Sequence, residues 1–331
     1  MSTAEFAAFS DRAVMFAGIV YALAVLAHVV EWASSLARPA PAKEPLSQAA
    51  SSPTASSQGS AVAVAEGPPT AVDDRRELRI ETAGRIGVAL TVVATALLAL
   101  GVVTRSLGTD PWRVPWGNMY EFSLVGSLGV SLIYLALLRR MQLRWMGLFV
   151  TSFVLVVLML ANLTLQQAAG PLVPALHSYW LVIHVGAAVT ASGAFAVGAL
   201  TSVVFLIKDR GPRSGAGGRL LDMFPPTDVL DRLAYRLHAV GFPIWTFAAL
   251  IAGPIWAEYA WGSYWNWDPK EVWAFITWVV YAAYLHARAT AGWRGRTAAY
   301  LALLGFATLL FNFVGINFFF GAGSMHSYAG H

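Results

Sequence analysis

Eight apolar, nearly uncharged stretches run through this chain, at 13–32, 86–103, 122–138, 145–163, 180–206, 240–257, 270–287 and 297–319. Each has roughly the 17–25 residues that a helix needs to cross a hydrocarbon core. The fifth is long enough to tilt or protrude. The third is diluted by Ser123, Gly126, Ser127, Gly129 and Ser131, small residues that suit close helix–helix packing. Backbone polar groups within a bilayer must be satisfied inside the segment, so these stretches predict an all-α, polytopic membrane protein with about eight transmembrane helices. Only 12% of the 331 residues are Asp, Glu, Lys or Arg, about half the usual share of a soluble domain. A soluble enzyme, a secreted module and a nucleic-acid binder are thereby excluded. The pI near 9.4 reflects basic residues in short loops between spans. Cysteine is absent, so the chain itself neither exchanges disulfides nor holds a thiolate-bound metal or a thioether-linked haem. No small-residue cleavage site follows the first apolar run, so no cleavable signal peptide is expected.

Loops 33–85, 139–144, 207–239 and 288–296 hold 18 of the 22 Lys and Arg, leaving Arg12, Arg105, Arg113 and Lys270 on the opposite side. The positive-inside rule then places those four loops in the cytoplasm and both termini outside a cell (plasma) membrane. The chain divides into a first transmembrane helix over 1–32, a cytoplasmic and largely disordered linker over 33–85, and a transmembrane core over 86–331. The Ala-, Pro- and Ser-rich run 37–70 is the clearest part of that linker. Loop 207–239 is expected to be flexible at its start and to end in a short amphipathic piece, Thr227 to His238.

The outer segments are 104–121, 164–179, 258–269 and 320–331. The third continues into the seventh span as Trp261-Gly-Ser-Tyr264-Trp265-Asn-Trp267-Asp268-Pro-Lys-Glu271-Val-Trp273. An aromatic belt would spread tryptophans over all helix ends, whereas five of the thirteen fall between 261 and 278. Rings so concentrated are expected to form a flat apolar platform for a large conjugated ligand. Asp268, Pro269 and Glu271 fit the N-cap, N1 and N3 positions of a capping box. Asn118 and Glu121 repeat that spacing in Pro115-Trp-Gly-Asn-Met-Tyr-Glu-Phe122. These carboxylates are therefore read as shaping the loops and not as acid–base groups.

Ionisable side chains within a span are functional candidates by default. His184, one turn past Trp180, and His326, seven residues beyond the last span, fall on the side of the tryptophan loop. His28 and His286 lie about 15 residues into spans that start on that side, roughly 22 Å deeper at 1.5 Å per residue. Two imidazoles at matched depth on separate segments suit a six-coordinate haem iron, one nitrogen on each side of the ring. His177 shares a helix face with His184 and competes as a ligand, while His238, in a basic loop, and His331 are expected to be solvated.

The 261–273 segment resembles the tryptophan-rich WWD signature of haem-handling proteins of cytochrome c biogenesis. The flanks agree: Trp180-Leu-Val-Ile-His184-Val, Tyr284-Leu-His286 and Met325-His326-Ser-Tyr. Pro115-Trp-Gly-Asn-Met-Tyr-Glu-Phe and Gly253-Pro-Ile-Trp-Ala are similar to the CcsA/ResC branch of System II, called CcsB in actinobacteria, and the likeness covers roughly 86–331. The resemblance implies that haem b is the cofactor, held by His184 and His326 at the external WWD loop 258–273 with Trp261, Trp265, Trp267, Asp268, Trp273 and Asn118 around it. It makes His286 a ligand of a second haem within the membrane. The family's other inner ligand comes from the partner portion, so His28 is either this chain's own substitute or incidental. Implied partners are a ResB-like subunit, apocytochrome c and a thiol-reducing thioredoxin-like protein. The implied activity is one subunit's share of a holocytochrome c synthase (haem lyase), presenting haem to Cys-x-x-Cys-His motifs, with no catalytic residue beyond those that position haem. For propionates the outer candidates are Arg113, Arg105, Lys270, Asn118 and Asn266. Two rival readings are a dihaem b-type membrane anchor of a quinol oxidoreductase, which would place all four histidines within spans, and a haem exporter. The exporter would use a broken helix, for which Pro243, Gly253 and Pro254 are candidates.

Overall fold

The computed structural model describes residues 1–36, 71–141, 143–170, 176–212, 215–290, 292–320 and 324–326, and among these the chain is helical with no strands. In chain order the helices are α1 (Thr3–Leu36), α2 (Ala71–Leu107), α3 (Met119–Leu137), α4 (Gly147–Thr164), α5 (Tyr179–Arg210), α6 (Gly215–Asp222), α7 (Thr227–Phe247), α8 (Gly253–Trp261), α9 (Pro269–Thr290), α10 (Arg296–Leu310) and α11 (Ile316–Phe319). A 3₁₀ turn at Leu143–Met146 leads into α4. π turns at Ala248–Ala252 and Phe311–Gly315 join α7 to α8 and α10 to α11.

Seven helical segments are long and apolar enough to cross a membrane, including the continuous rods Thr227–Trp261 and Arg296–Phe319. The eighth stretch forms α9, which has the length at 22 residues. It falls outside that set because Trp, Tyr, His286 and Arg288 dilute its hydropathy.

The helices form two groups. Helices α1–α4 pack around Val14, Tyr21, Leu98, Leu124, Tyr134 and Val154. Helices α5, α7, α9 and α10 pack around Phe195, Trp245, Tyr281 and Leu309. The seam between them is α3 against α5, and small residues make it close. A Cβ on Gly193 would meet Ile133 at 2.5 Å, and one on Gly129 would meet Val189 at 2.8 Å. Without a solvent-driven force between helices in lipid, such van der Waals contact and buried hydrogen bonds hold the bundle. Tyr21 Oη, for example, bonds Thr95 and Ser131 at 3.0 and 2.7 Å, linking three helices.

Two boundaries differ from the sequence expectation. The linker is shorter, because 71–85 is helical and extends α2 well before the apolar stretch. Charged side chains stabilise that water-facing extension through the i,i+4 pair of Glu81 with Arg85 and through Arg144, which donates to the Glu81 carbonyl. The disorder expected over 37–70 lies outside the described residues. The second difference is at Thr227–His238, which is not a loop piece but the first half of α7. Its apolar face, Leu230, Leu233, Ala234 and Leu237, continues the stripe of the span and buries it against both groups. His238 is consequently not solvated but fully buried, its ring on Gly198 and between Phe195, Tyr281 and Tyr284. Polarity had argued for a loop, and the amphipathic periodicity won.

Candidate functional site

The ends of α3, α5, α8 and α9 that lie away from the basic loops surround a pocket with about 1070 Å³ of empty space, counting its open mouth. Its walls are aromatic: Trp116, Phe122, Trp245, Trp256, Trp265 and Phe313. The polar groups on it are few, namely Asn118, His184, Lys270, Glu271, Asn312 and His326.

Both π turns lie at pocket level, contributing Ala248 and Ala249 from one and Asn312 and Phe313 from the other. The first widens where Pro254 has no N–H to return to the preceding turn. The helix break foreseen at Pro243, Gly253 and Pro254 is thus a single π turn, and it serves a histidine. The Ala248 carbonyl takes the Gly253 N–H and also lies 2.9 Å from His184 Nδ1. A carbonyl only accepts, so His184 carries its proton on Nδ1 and keeps a lone pair on Nε2. The ring stacks on Trp256, centroids 5.9 Å apart and planes 7° apart. Gly253 leaves it room, since a Cβ there would come to 3.1 Å from Cε1.

His326 is fixed the same way from the other wall. Its Nδ1 lies 3.0 Å from Asp268 Oδ1. The carboxylate also accepts from Ser324 Oγ, Met325 N and Lys270 N, at 2.9, 2.6 and 2.9 Å. Asp268 therefore does two jobs, capping α9 and tying the 324–326 segment to the tryptophan loop. Glu271 completes the capping box by accepting from Asp268 N and Asn266 N. Burial raises the Asp268 pKa, but the hydrogen bond and charge of His326, the Lys270 N–H and Ser324 outweigh it, and the carboxyl is held down at about 2. A depressed folded pKa means the tether is complete above the ordinary carboxyl range and is lost only as pH falls towards 2.

The two imidazoles face one pocket. Trp256 packs against both, with its centroid 5.9 Å from His184 and 5.4 Å from His326, so they are no farther apart than those distances together. The loop tryptophans do not form the flat platform expected of them. Trp265 lines the pocket and meets Trp267 edge-on at 88°, while Trp261 packs edge-on against Trp256 and His326. Trp267 is 74% exposed, with φ of 57° in the left-handed region. Trp273 does not line the pocket and packs against Phe311, centroids 4.2 Å apart with the planes tilted by 44°. Trp116, Trp245 and Trp256 take the places expected of them; two of these lie in the Pro-Trp-Gly-Asn and Gly-Pro-Ile-Trp segments, which carried the signal.

Asn118 accepts from Glu121 N at 2.9 Å as the N-cap of α3. Fully buried Glu121 accepts from four donors: Arg105 Nε at 3.2 Å, Arg113 Nη2 and Nη1 at 3.0 and 2.7 Å, and Gly117 N at 2.9 Å. This docks the segment bearing Trp116 and Asn118 onto the bundle. It also removes Arg105 and Arg113 from candidacy as free cations. Asn266 is exposed and does not line the pocket.

His28 and His286 are not brought together. His28 is buried within the α1–α4 group, its ring against Gly87, Gly147 and Tyr134, with Nδ1 3.0 Å from Glu31. Its Nε2 has no hydrogen-bond partner among the described residues. His286 is exposed on α9 in the other group. His177 is exposed just before the N-cap of α5, and His331 lies outside the described residues. Among the described residues no group of three or more His, Cys, Asp or Glu could hold a bare metal ion.

An outer-shell acceptor such as Asp268 typically contributes about 10–100-fold to ligation by the histidine it orients. Asp268→Asn, which presents an N–H₂ where Met325 N and Ser324 need an acceptor, is expected to weaken binding at the pocket by that factor. Titration of the purified variant, followed by absorbance, measures it, and wild-type affinity in Asp268→Asn would show that His326 is oriented by something else.

The family model described as Cytochrome C assembly protein matches residues 116–322. The cytochrome c biogenesis protein CcsA of Gloeobacter violaceus is 37% identical over 289 residues, spanning 71% of this chain and 84% of that protein. The CcsA of a Synechococcus strain is 35% identical over 304 residues, spanning 74% and 84%. That of Guillardia theta is 35% identical over 268 residues, spanning 76% and 87%.

Proposed function

Because the chain belongs to the cytochrome c assembly protein family, in its CcsA branch, and so is a multi-pass membrane protein of cytochrome c maturation that handles haem, we propose that its aromatic pocket holds haem b between His184 and His326. The observation that carries this reading is the matched preparation of those two imidazoles. Each has Nδ1 committed to a fixed acceptor and Nε2 left as a lone pair, and both line one aromatic pocket. An imidazole oriented through its other nitrogen in this way is what iron ligation requires. Trp116, Trp245, Trp256 and Trp265 supply apolar surface for a porphyrin and exclude water from its iron.

With the four basic loops in the cytoplasm, the pocket opens on the outer side of the plasma membrane. Haem supplies vinyl groups, to which the two thiols of an apocytochrome Cys-x-x-Cys-His segment add. The chain's own residues orient and ligate. Asp268 and the Ala248 carbonyl hold the imidazoles in their donor tautomer, and Glu121 holds the wall that carries Trp116. The incoming acceptor histidine competes with one protein imidazole and so favours release. At the inner leaflet, exposed His286 serves as one ligand of a second haem, and its opposite imidazole comes from a ResB-like subunit. His28 is enclosed among α1–α4 and points towards Glu31, which favours a packing role for it.

The test is a haem stain and absorption spectrum of the purified chain, alone and with a ResB-like subunit. One six-coordinate, low-spin haem in the isolated chain and two in the complex are expected. A chain that carries none in either preparation would remove the reading.

A further inference from the structure

Lys270 has no charged partner. Its backbone N–H caps onto Asp268, but among the described residues no hydrogen bond or ion pair engages its ammonium, although the side chain is half-buried and lines the pocket. The carboxylates beside it are already committed. Asp268 accepts from His326, Ser324, Met325 and the Lys270 backbone, and Glu271 from two backbone N–H groups. Of the other cations on this side, Arg105 and Arg113 are spent on Glu121, and exposed Arg12 does not line the pocket. A half-buried ammonium among indole and phenyl rings, near Asp268 but with no direct ion pair among the described residues, is unfavourable unless something anionic completes it.

We propose that Lys270 is the anchor for a ligand carboxylate, and that it fixes which edge of the ring faces inward. The inference rests on the haem reading above, whose propionates are the carboxylates in question. Anchoring one edge there orients the opposite, vinyl-bearing edge, so Lys270 acts as a positioning residue while the imidazoles hold the iron. The contact is charge-assisted and is realised only when the ligand carries a free carboxylate.

Haem and haem dimethyl ester, whose propionates are neutral, are titrated against the haem-depleted full-length chain and against Lys270→Met and Lys270→Arg. Wild type is expected to prefer the free acid by about 10–100-fold, the worth of one hydrogen-bonded ion pair. Lys270→Met should bind the two ligands alike, with an unchanged six-coordinate, low-spin spectrum, and Lys270→Arg should restore the preference. Equal binding of acid and ester by wild type would overturn the proposal without any variant, and so would a preference that survives in Lys270→Met. Absence of the six-coordinate spectrum from wild type with both ligands would instead overturn the haem reading itself, and this inference with it.

Discussion

His184→Ala and His326→Ala, each alone, are expected to purify with less than about a tenth of the wild-type haem, because loss of an axial ligand exceeds the 10–100-fold effect of losing its outer-shell support. What haem remains should be five-coordinate and high-spin. The two variants differ in what they leave behind. His184→Ala opens a ring-sized gap on Trp256 beside the Ala248 carbonyl, and the gap takes free imidazole in the orientation of the lost side chain. His326→Ala removes one of four donors to Asp268 and leaves Ser324 and Met325 to hold the tail. Added imidazole should therefore rescue His184→Ala more fully. Pyridine haemochrome content and the low-spin spectrum are the measurements. If both variants retain full haem and still support cytochrome c maturation, the pocket is not the site of ligation.

Glu121→Ala is expected to be the most destabilising single change. It leaves Arg105, 2% exposed, with only its longer contact to Asp11 at 3.5 Å, and Arg113, 10% exposed, with no ion-pair partner among the described residues. Breaking a buried pair from one side typically costs about 3–5 kcal/mol. The Gly117 N–H and the first turn of α3 lose an acceptor as well. Glu121→Gln keeps one acceptor oxygen and should fall between Ala and wild type. Thermal unfolding in detergent measures the loss, and haem titration of the surviving fraction should show a second defect, because Trp116 and Asn118 ride on the segment that Glu121 docks. A melting profile matching wild type in Glu121→Ala would mean that the existing contacts of Arg105 with Asp11 and Gln167 and of Arg113 with Gly170 suffice for the guanidinium groups.

Much of this architecture is written in local pattern. The spans follow from runs of apolar residues because a bilayer admits only helices with internally paired backbones. The capping boxes at Asp268 and at Asn118 follow from residue types at fixed spacing, and both caps form as expected. His184 and His326 stood out because histidine is rare near an apolar span. Local pattern stopped short at the polar half of one span: Thr227–His238 reads as a short amphipathic piece ending a loop until Leu230, Leu233 and Leu237 find helices to cover and make it the first half of α7. It was silent on the pocket walls. Trp245 and Trp256 resemble any interfacial tryptophan, and only the π turn between them brings the Ala248 carbonyl to His184 and Trp256 beneath its ring.

The amino-acid order by itself determined that the chain is a helical membrane bundle, where the apolar part of each span lies (although α1, α2 and α7 start well before it), and which histidines are candidates, since each depends on neighbours close in sequence. The tertiary structure alone decided that His184 and His326 share a pocket while His28 and His286 do not. It also decided that Glu121 occupies two arginines and leaves Lys270 free. Those outcomes depend on residues 8 to 142 positions apart meeting through the packing of α3, α5 and α9, and no local periodicity specifies which faces of separate helices will touch.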